Sequence, residues 1–330
     1  MHDPRTVARR LASVYGHKLQ RPLMYPQGVA LSGRLRLAAL DDTVAETAVE
    51  VAAIVAPYLS DPDVFDPRYG TPNFATACWA DELYGATGDV RYRQHLVQAV
   101  DFFDLDADAD IAAPLDRDVR VEDFFFAATL LGRAYAVTDD RRYLDVLMRF
   151  LRNVDTQRPD GLYWHCHASP FYWGRGNGFA ALGFAEALTY LPRDERASIV
   201  EPHVAHLAGL RAHQDPTGMW RQIVDDETTY LEHSATTMIG CAMARGIRMG
   251  WLDRDEWMPV TMLAFEGAAE RIGTGGELEH VCVGTGPLAD RAAYVDRPFT
   301  DGLDDRGGAM ALWFAVEVAQ LQTGTGTAGA

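Results

Sequence analysis

Lysine is nearly absent: Lys18 is the only one in 330 residues, so basic charge rests almost wholly on arginine. Positive charge is scarce overall, with 30 basic against 47 acidic side chains and a formal net charge of −17. Nucleic acids and anionic membrane surfaces are held by clustered Lys and Arg that neutralise phosphates, so neither is expected as a partner. Self-repulsion of an acidic surface favours solubility, and a salt-adapted host is a second source of such a surface. The four cysteines, Cys78, Cys166, Cys241 and Cys282, include no Cys-x-x-Cys pair. They are expected to be free thiols in a reducing compartment, the cytoplasm. No apolar run approaches the roughly 18 residues of a membrane span. The first residues lack the uninterrupted apolar core of a secretory signal. Strand-like alternation is scarce as well.

Helical spacing is abundant. Residues 44–59 place apolar side chains at three- and four-residue steps, and residues 124–138 and 236–252 do likewise. A repeat underlies this pattern. The stretch "ELYGATGDVRYRQHLVQAVDFF" (82–103) is echoed by "RAYAVTDDRRYLDVLMRFL" (133–151), and a looser copy covers 187–210. The first two each read as a helix end, a Thr-x-Asp turn and a new helix. The period is about 50 residues, one helical hairpin with its loops, and six such units fill the chain. Six hairpins can close into a ring whose inner helices are apolar nearly all round. "GFAALGFAEAL" (178–188) and "GGAMALWFAVEVAQL" (307–321) have that character. The expectation is all-α: one (α/α)6 toroid over residues 1–322, followed by a flexible tail at 323–330.

One loop stands out, "FYWGRGNGFAALGFAEAL" (171–188). It lacks the Gly-Lys-Ser/Thr of a phosphate loop, and Gly174, Gly176 and Gly178 follow no strand-like run. In a toroid it lies on the rim of the central cavity. Glycine permits close backbone approach. Helix N-terminal amides favour an anion. Arg175 offers a planar, bidentate partner for a carboxylate. Trp164, Tyr172 and Trp173 supply flat faces for a sugar ring. The combination points to an acidic sugar.

The same loop resembles the Trp-Gly-Arg-Gly-Asn-Gly-aromatic motif of glycoside hydrolase family 105. These are the unsaturated rhamnogalacturonyl and glucuronyl hydrolases, related to family 88. Further segments resemble that family in order: "MYPQGVALSGR", "GLYWHCH", "TGMWRQIVDDETTYLEHSATTMIGCAMARGIRMGWL" and "VCVGTGPLADRAAYVDRP". Together they cover roughly residues 25–318. The resemblance implies a six-hairpin toroid and a substrate left by polysaccharide lyases, an oligosaccharide capped by a 4,5-unsaturated uronic acid. It implies acid-catalysed hydration of the double bond, with no cofactor and no metal.

By the same resemblance Trp173 and Arg175 contact substrate, Arg175 at the uronate carboxylate. Phe179 stands where the family usually has Trp. His165 hydrogen-bonds the sugar, and Tyr25 matches an early cavity tyrosine. His165 and His167 form a His-x-His, weak as a metal signal. The acid is where this chain departs. "RVEDFFFAATLLGRAYAVTDD" (120–140) places Glu122 at the catalytic position, and a one-residue shift places Asp123 there; both remain candidates. Arg120 replaces a Trp, and Asn73 stands for an Asp that would help set the acid's pKa. Asp225, Asp226 and Glu232 are reserve acids, more plausible as solvated loop charges. Two rival functions stay open: another sugar enzyme on the same ring, such as a glycosidase on saturated glucuronides or an epimerase, and a non-catalytic carbohydrate-binding protein.

Overall fold

The computed structural model describes residues 1–324. The chain opens with α1 (Pro4–Ala12) and then runs through helical hairpins. α2 (Tyr25–Leu40) turns into α3 (Val44–Val55). An inner segment of α4 (Thr71–Phe74), a 3-10 turn (Ala75–Trp79) and α5 (Ala80–Thr87) turns into α6 (Val90–Val100). α7 (Glu122–Thr138) pairs with α8 (Arg142–Arg152), α9 (Gly174–Tyr190) with α10 (Ala197–Ala212), and α11 (His233–Met249) with α12 (Arg254–Ala269). After the short α13 (Arg291–Val295) comes α14 (Asp305–Thr323), which packs against α11, α2 and α1 and so closes the ring. Two antiparallel ribbons decorate one end: β1 (Trp220–Arg221) with β2 (Leu231–Glu232), and β3 (Leu278–Cys282) with β4 (Phe299–Gly302).

Among the described residues the inner ring is α2, α4–α5, α7, α9, α11 and α14, and α1, α3, α6, α8, α10 and α12 lie outside. This is the expected (α/α)6 toroid. The expected tail starts inside α14, which runs to Thr323, and residues 325–330 lie outside the described residues. No described helix is long and apolar enough to cross a membrane. All four cysteines are buried and unpaired.

The repeat seen in the sequence is a capping device. α5 ends on Gly88 at φ 71° and α7 on Asp139 at φ 60°, both left-handed. In each case a threonine hydroxyl, Thr87 or Thr138, accepts the N–H of the next helix's aspartate at 3.2 Å. That aspartate then accepts the N–H two residues on: Asp89 from Arg91 at 3.0 Å, Asp140 from Arg142 at 3.1 Å. Close inner packing needs glycine at two contacts. A Cβ on Gly28 would lie 2.1 Å from the Thr76 carbonyl oxygen, and one on Gly183 2.5 Å from the Phe124 carbonyl carbon.

At the end of the barrel formed by the C-terminal halves of the inner helices, every member of the ring contributes a charge. Arg36 of α2 donates to Glu82 of α5 at 2.8 Å. Arg133 of α7 donates to Asp81 at 2.7 Å, to Glu82 at 3.0 Å and to Glu186 of α9 at 3.1 Å. Arg245 of α11 donates to Glu186 and, at 2.7 Å, to Glu317 of α14. Arg133 and Glu186 are both 0% exposed. Burial alone would raise the Glu186 carboxyl, but Arg245, Arg133 and Arg36 outweigh it and hold it at about 2. The three guanidiniums surround the Trp313 indole, Arg36 at 4.1 Å from the ring centre.

Removing one member of a buried ion network leaves its partners uncompensated. Glu186→Ala is therefore expected to cost about 3–5 kcal/mol in urea-unfolding free energy. A loss under about 1 kcal/mol would show that the network relaxes around the gap.

Acid sensitivity follows from buried neutral histidines. Burial lowers His203 and His233 to about 3, His95 to about 4, and His206 further, the last also through His203. Each takes up its proton only on unfolding, so stability is full above the unfolded value and lost as pH falls below it. The urea midpoint is expected to decline from about pH 6.5 downward. His203→Leu is expected to flatten that decline by about one proton.

Candidate active site

The opposite end of the ring holds a cavity of about 350 Å³. Its walls come from the N-termini of the inner helices: Tyr25 on α2, Glu122 and Phe126 on α7, Arg175 and Phe179 on α9, with Trp173 leading into α9. Arg120 lies just before α7, and Arg306 sits in the first turn of α14. Tyr25, Phe126 and Phe179 form an aromatic wall, with Tyr25 5.1 Å from Phe126 and 5.5 Å from Phe179 between ring centres.

Backbone pairing sets the polar centre. The Val121 N–H donates to the His165 carbonyl at 3.0 Å, and the His165 N–H donates to the Phe171 carbonyl at 3.0 Å. The start of α7 is thereby fastened to the loop carrying His165, and Glu122 and His165 come side by side. Glu122 Oε1 lies 3.2 Å from His165 Nε2 and accepts from Arg120 at 3.0 Å. His165 Nδ1 is hydrogen-bonded to the Tyr294 hydroxyl, and its ring lies 4.7 Å from that of Trp173. Burial would raise the Glu122 carboxyl, but His165 and Arg120 outweigh it and bring it to about 2. Oε2 of Glu122 is buried with no protein partner.

Asp123 faces elsewhere. Its Oδ1 accepts from the Thr71 hydroxyl at 2.6 Å and its Oδ2 from the Asp116 N–H at 2.8 Å. Burial raises it to about 6, against those two bonds. Successive helix residues point about 100° apart, so one carboxylate at the rim fills the cavity wall while the other ties α4 to the loop before α7.

Of the residues expected from the sequence, Tyr25, Glu122, Trp173, Arg175 and Phe179 line the cavity, and His165 stands behind Glu122. Asn73 does not line it. Its amide bridges the chain, accepting from the Asp66 N–H at 2.7 Å and donating to the Leu23 carbonyl at 2.7 Å. Trp164 is also outside the wall, packed under the Arg158 guanidinium at 4.2 Å. Arg175 is 2% exposed, and its guanidinium donates to the carbonyls of Cys282 and Val283 while lying 4.8 Å from the Trp173 ring. It shapes the 282–283 loop as well as facing the cavity.

The reserve acids have other duties. Glu232 is no solvated loop charge; buried, it caps α11 and accepts the N–H groups of Ser234, Ala235 and Cys282. Asp225 and Asp226 pair with Arg291 away from the cavity. His167 turns from His165 to Asp155 at 2.6 Å. Among the described residues no group of three His, Cys, Asp or Glu is placed to hold a metal.

The site also contains residues that sequence patterns did not single out. Arg306 was hidden by its resemblance to a cap: it follows Asp304 as Arg91 follows Asp89, and donates to Asp304 in the same way. Phe126 belongs to an apolar helix whose inward face only the ring identifies.

Residues 167–322 match the family model described as Glycosyl Hydrolase Family 88. The chain is similar to the unsaturated rhamnogalacturonyl hydrolase YesR of Bacillus subtilis, with 29% identity over 170 residues, 49% of this chain and 47% of that protein. The matched stretch thus spans about half of that relative's own length. A family 105 glycoside hydrolase from C. acetobutylicum superposes with a TM-score of 0.83 at 16% identity, covering 98% of this chain and 100% of that one. The unsaturated glucuronyl hydrolase of Bacillus sp. GL1 does so with a TM-score of 0.71 at 16% identity, covering 96% and 95%. The Family 88 match and these superpositions agree on the fold, and the cavity described above lies inside it.

A structural role for Asp123 has a direct consequence. Asp123→Ala strands a buried hydroxyl and a buried N–H, and is expected to lower unfolding stability by about 2 kcal/mol or more. An unchanged urea midpoint would mean that these bonds are replaced by water.

Proposed function

We propose that this protein removes a 4,5-unsaturated uronic acid from the non-reducing end of lyase-generated oligosaccharides by hydrating the C4–C5 double bond. The observation that carries the proposal is Glu122: a buried carboxyl with one unpartnered oxygen, in an aromatic-walled cavity flanked by arginines. The names of the relatives, unsaturated rhamnogalacturonyl and glucuronyl hydrolases, support the same substrate class.

The chemistry needs one acid and a positioned ring. Tyr25, Phe126, Phe179 and Trp173 offer faces for the ring, and Arg120, Arg175 and Arg306 offer positive charge for its carboxylate. Glu122 delivers a proton to C4, and the π pair of the double bond forms the new C4–H bond. Positive charge develops at C5 and the ring oxygen. Water adds at C5 and returns a proton to Glu122. The resulting hemiketal opens to a C5 ketone, and the hemiacetal left at C1 expels the aglycone sugar. One water is consumed and Glu122 is regenerated.

Direct displacement by two carboxylates fits less well. Among the described residues lining the cavity, Glu122 is the only carboxylate, and that mechanism needs two flanking the bond. We place the activity in a single catalytic domain and in the cytoplasm; the four buried, unpaired cysteines support the compartment.

The test is a panel of lyase-generated unsaturated disaccharides, followed by the ultraviolet absorbance of the double bond. Wild-type protein is expected to bleach at least one, and Glu122→Gln to lower kcat by about 10²–10⁴-fold. Asp123→Asn is expected to retain most of the turnover. A folded wild type inert on the whole panel would leave a saturated glucuronide hydrolase or a binding protein.

A further inference from the structure

The three cavity arginines are not equivalent. Arg175 is fixed by the carbonyls of Cys282 and Val283. Arg306 spends Nε and one terminal nitrogen on Asp304. Arg120 makes one hydrogen bond, to Glu122 Oε1 at 3.0 Å. Its Nε is buried without a partner, 3.9 Å from Asp116 Oδ2, and its side chain is 31% exposed in the cavity wall. Arg120 is therefore the cavity cation best able to change partner, and the partner it would leave is the acid.

We propose that Arg120 is the carboxylate-sensing residue of the cavity: the incoming uronate carboxylate takes its guanidinium from Glu122, and Glu122 then holds the proton that C4 receives. This rests on the hydration reaction proposed above. It removes a difficulty in that reaction. The Glu122 carboxyl is surrounded by groups that favour its charged form. Arg120 stands beside it on its own segment, His165 lies across from it on the 153–173 loop, and Arg175 and Arg306 face the same cavity from α9 and α14. Tyr294 backs His165 from α13, and Tyr25 stands opposite on α2. Asp123 is the adjacent acid, turned toward Thr71.

A carboxylate on Arg120 removes a donor from Oε1 and adds a negative charge nearby. Both changes favour protonated Glu122. His165 Nε2, 3.2 Å from Oε1, keeps its contact with the carboxyl when Arg120 leaves. The charge carried in by the substrate thus arms the acid only when the correct ligand is bound. A sugar without the carboxylate leaves Arg120 on Glu122 and the acid ionised.

The experiment pairs enzyme variants with substrate variants. Hydration is measured on an unsaturated uronide disaccharide and on its methyl ester, with wild type, Arg120→Gln and Arg120→Lys. Wild type is expected to prefer the acid by about 10- to 100-fold in kcat/KM. In Arg120→Gln the preference is expected to shrink to about threefold or less, because the two losses share one contact. Removing the cation is also expected to move the alkaline limb of kcat/KM upward by about one pH unit. Arg120→Lys keeps the charge and is expected to hold part of the preference, which reads the same contact should Arg120→Gln fail to fold. An undiminished acid-to-ester ratio in a folded Arg120→Gln, or an unmoved alkaline limb, overturns the sensing role and leaves the hydration proposal standing. Wild type inactive on both substrates overturns the two together.

Discussion

A charge taken out of water is tolerated only where opposite charges and donors replace the solvent. Arg133 is fully buried, so three carboxylates from two neighbouring helices must converge on it. The rest of the ring is arranged around that requirement. Glu186, drawn in by Arg133, in turn requires Arg245, and Arg245 requires Glu317. Apolar packing holds inner helices together without fixing their rotation or axial register. A chain of ion pairs fixes both, because guanidinium and carboxylate must meet within hydrogen-bond distance.

That fixed end positions the other one. The inner helices are held by charge at their C-terminal halves and present their N-termini around the cavity. Glu122 lies three turns from Arg133 on one rigid helix, and Arg175 lies three turns from Glu186 on the next. The site is thus placed by elements whose register is set elsewhere, while the connecting loops supply the partners that tune it: His165, Tyr294 and the Cys282–Val283 carbonyls. In the network every charged group meets an opposite charge, although Glu82 Oε2 and one terminal nitrogen of Arg245 make no hydrogen bond. At the cavity Glu122 Oε2, Trp173 Nε1 and Arg120 Nε are left without protein partners.

Much of this was visible in the residues. The Thr-x-Asp repeat marks real caps, and its period reports the hairpin. The Trp173–Phe179 loop does open the cavity. The failures have a common cause. Asn73, Trp164 and Asp123 carry side chains suited to a site, yet a side chain's facing is decided by packing that linear spacing does not encode. Glu122 and Asp123 are adjacent and chemically alike; only the seating of α4 beneath α7 separates a cavity wall from a tether. Glu232 looked like a loop charge because its three N–H donors come partly from β3, some 50 residues away. Arg306 was masked by local capping, and the role of Arg36, Arg133 and Arg245 needs the closed ring before their partners come together.

Charges in the network alternate in sign around the barrel: Arg36, the Asp81–Glu82 pair, Arg133, Glu186, Arg245, Glu317. A closed circle of alternating signs has an even number of members. Deleting or duplicating one hairpin would seat two like charges side by side in a water-poor interior, whereas changing the count by two would preserve the order. The ring therefore carries a parity rule: by electrostatics alone, this barrel grows or shrinks in pairs of hairpins.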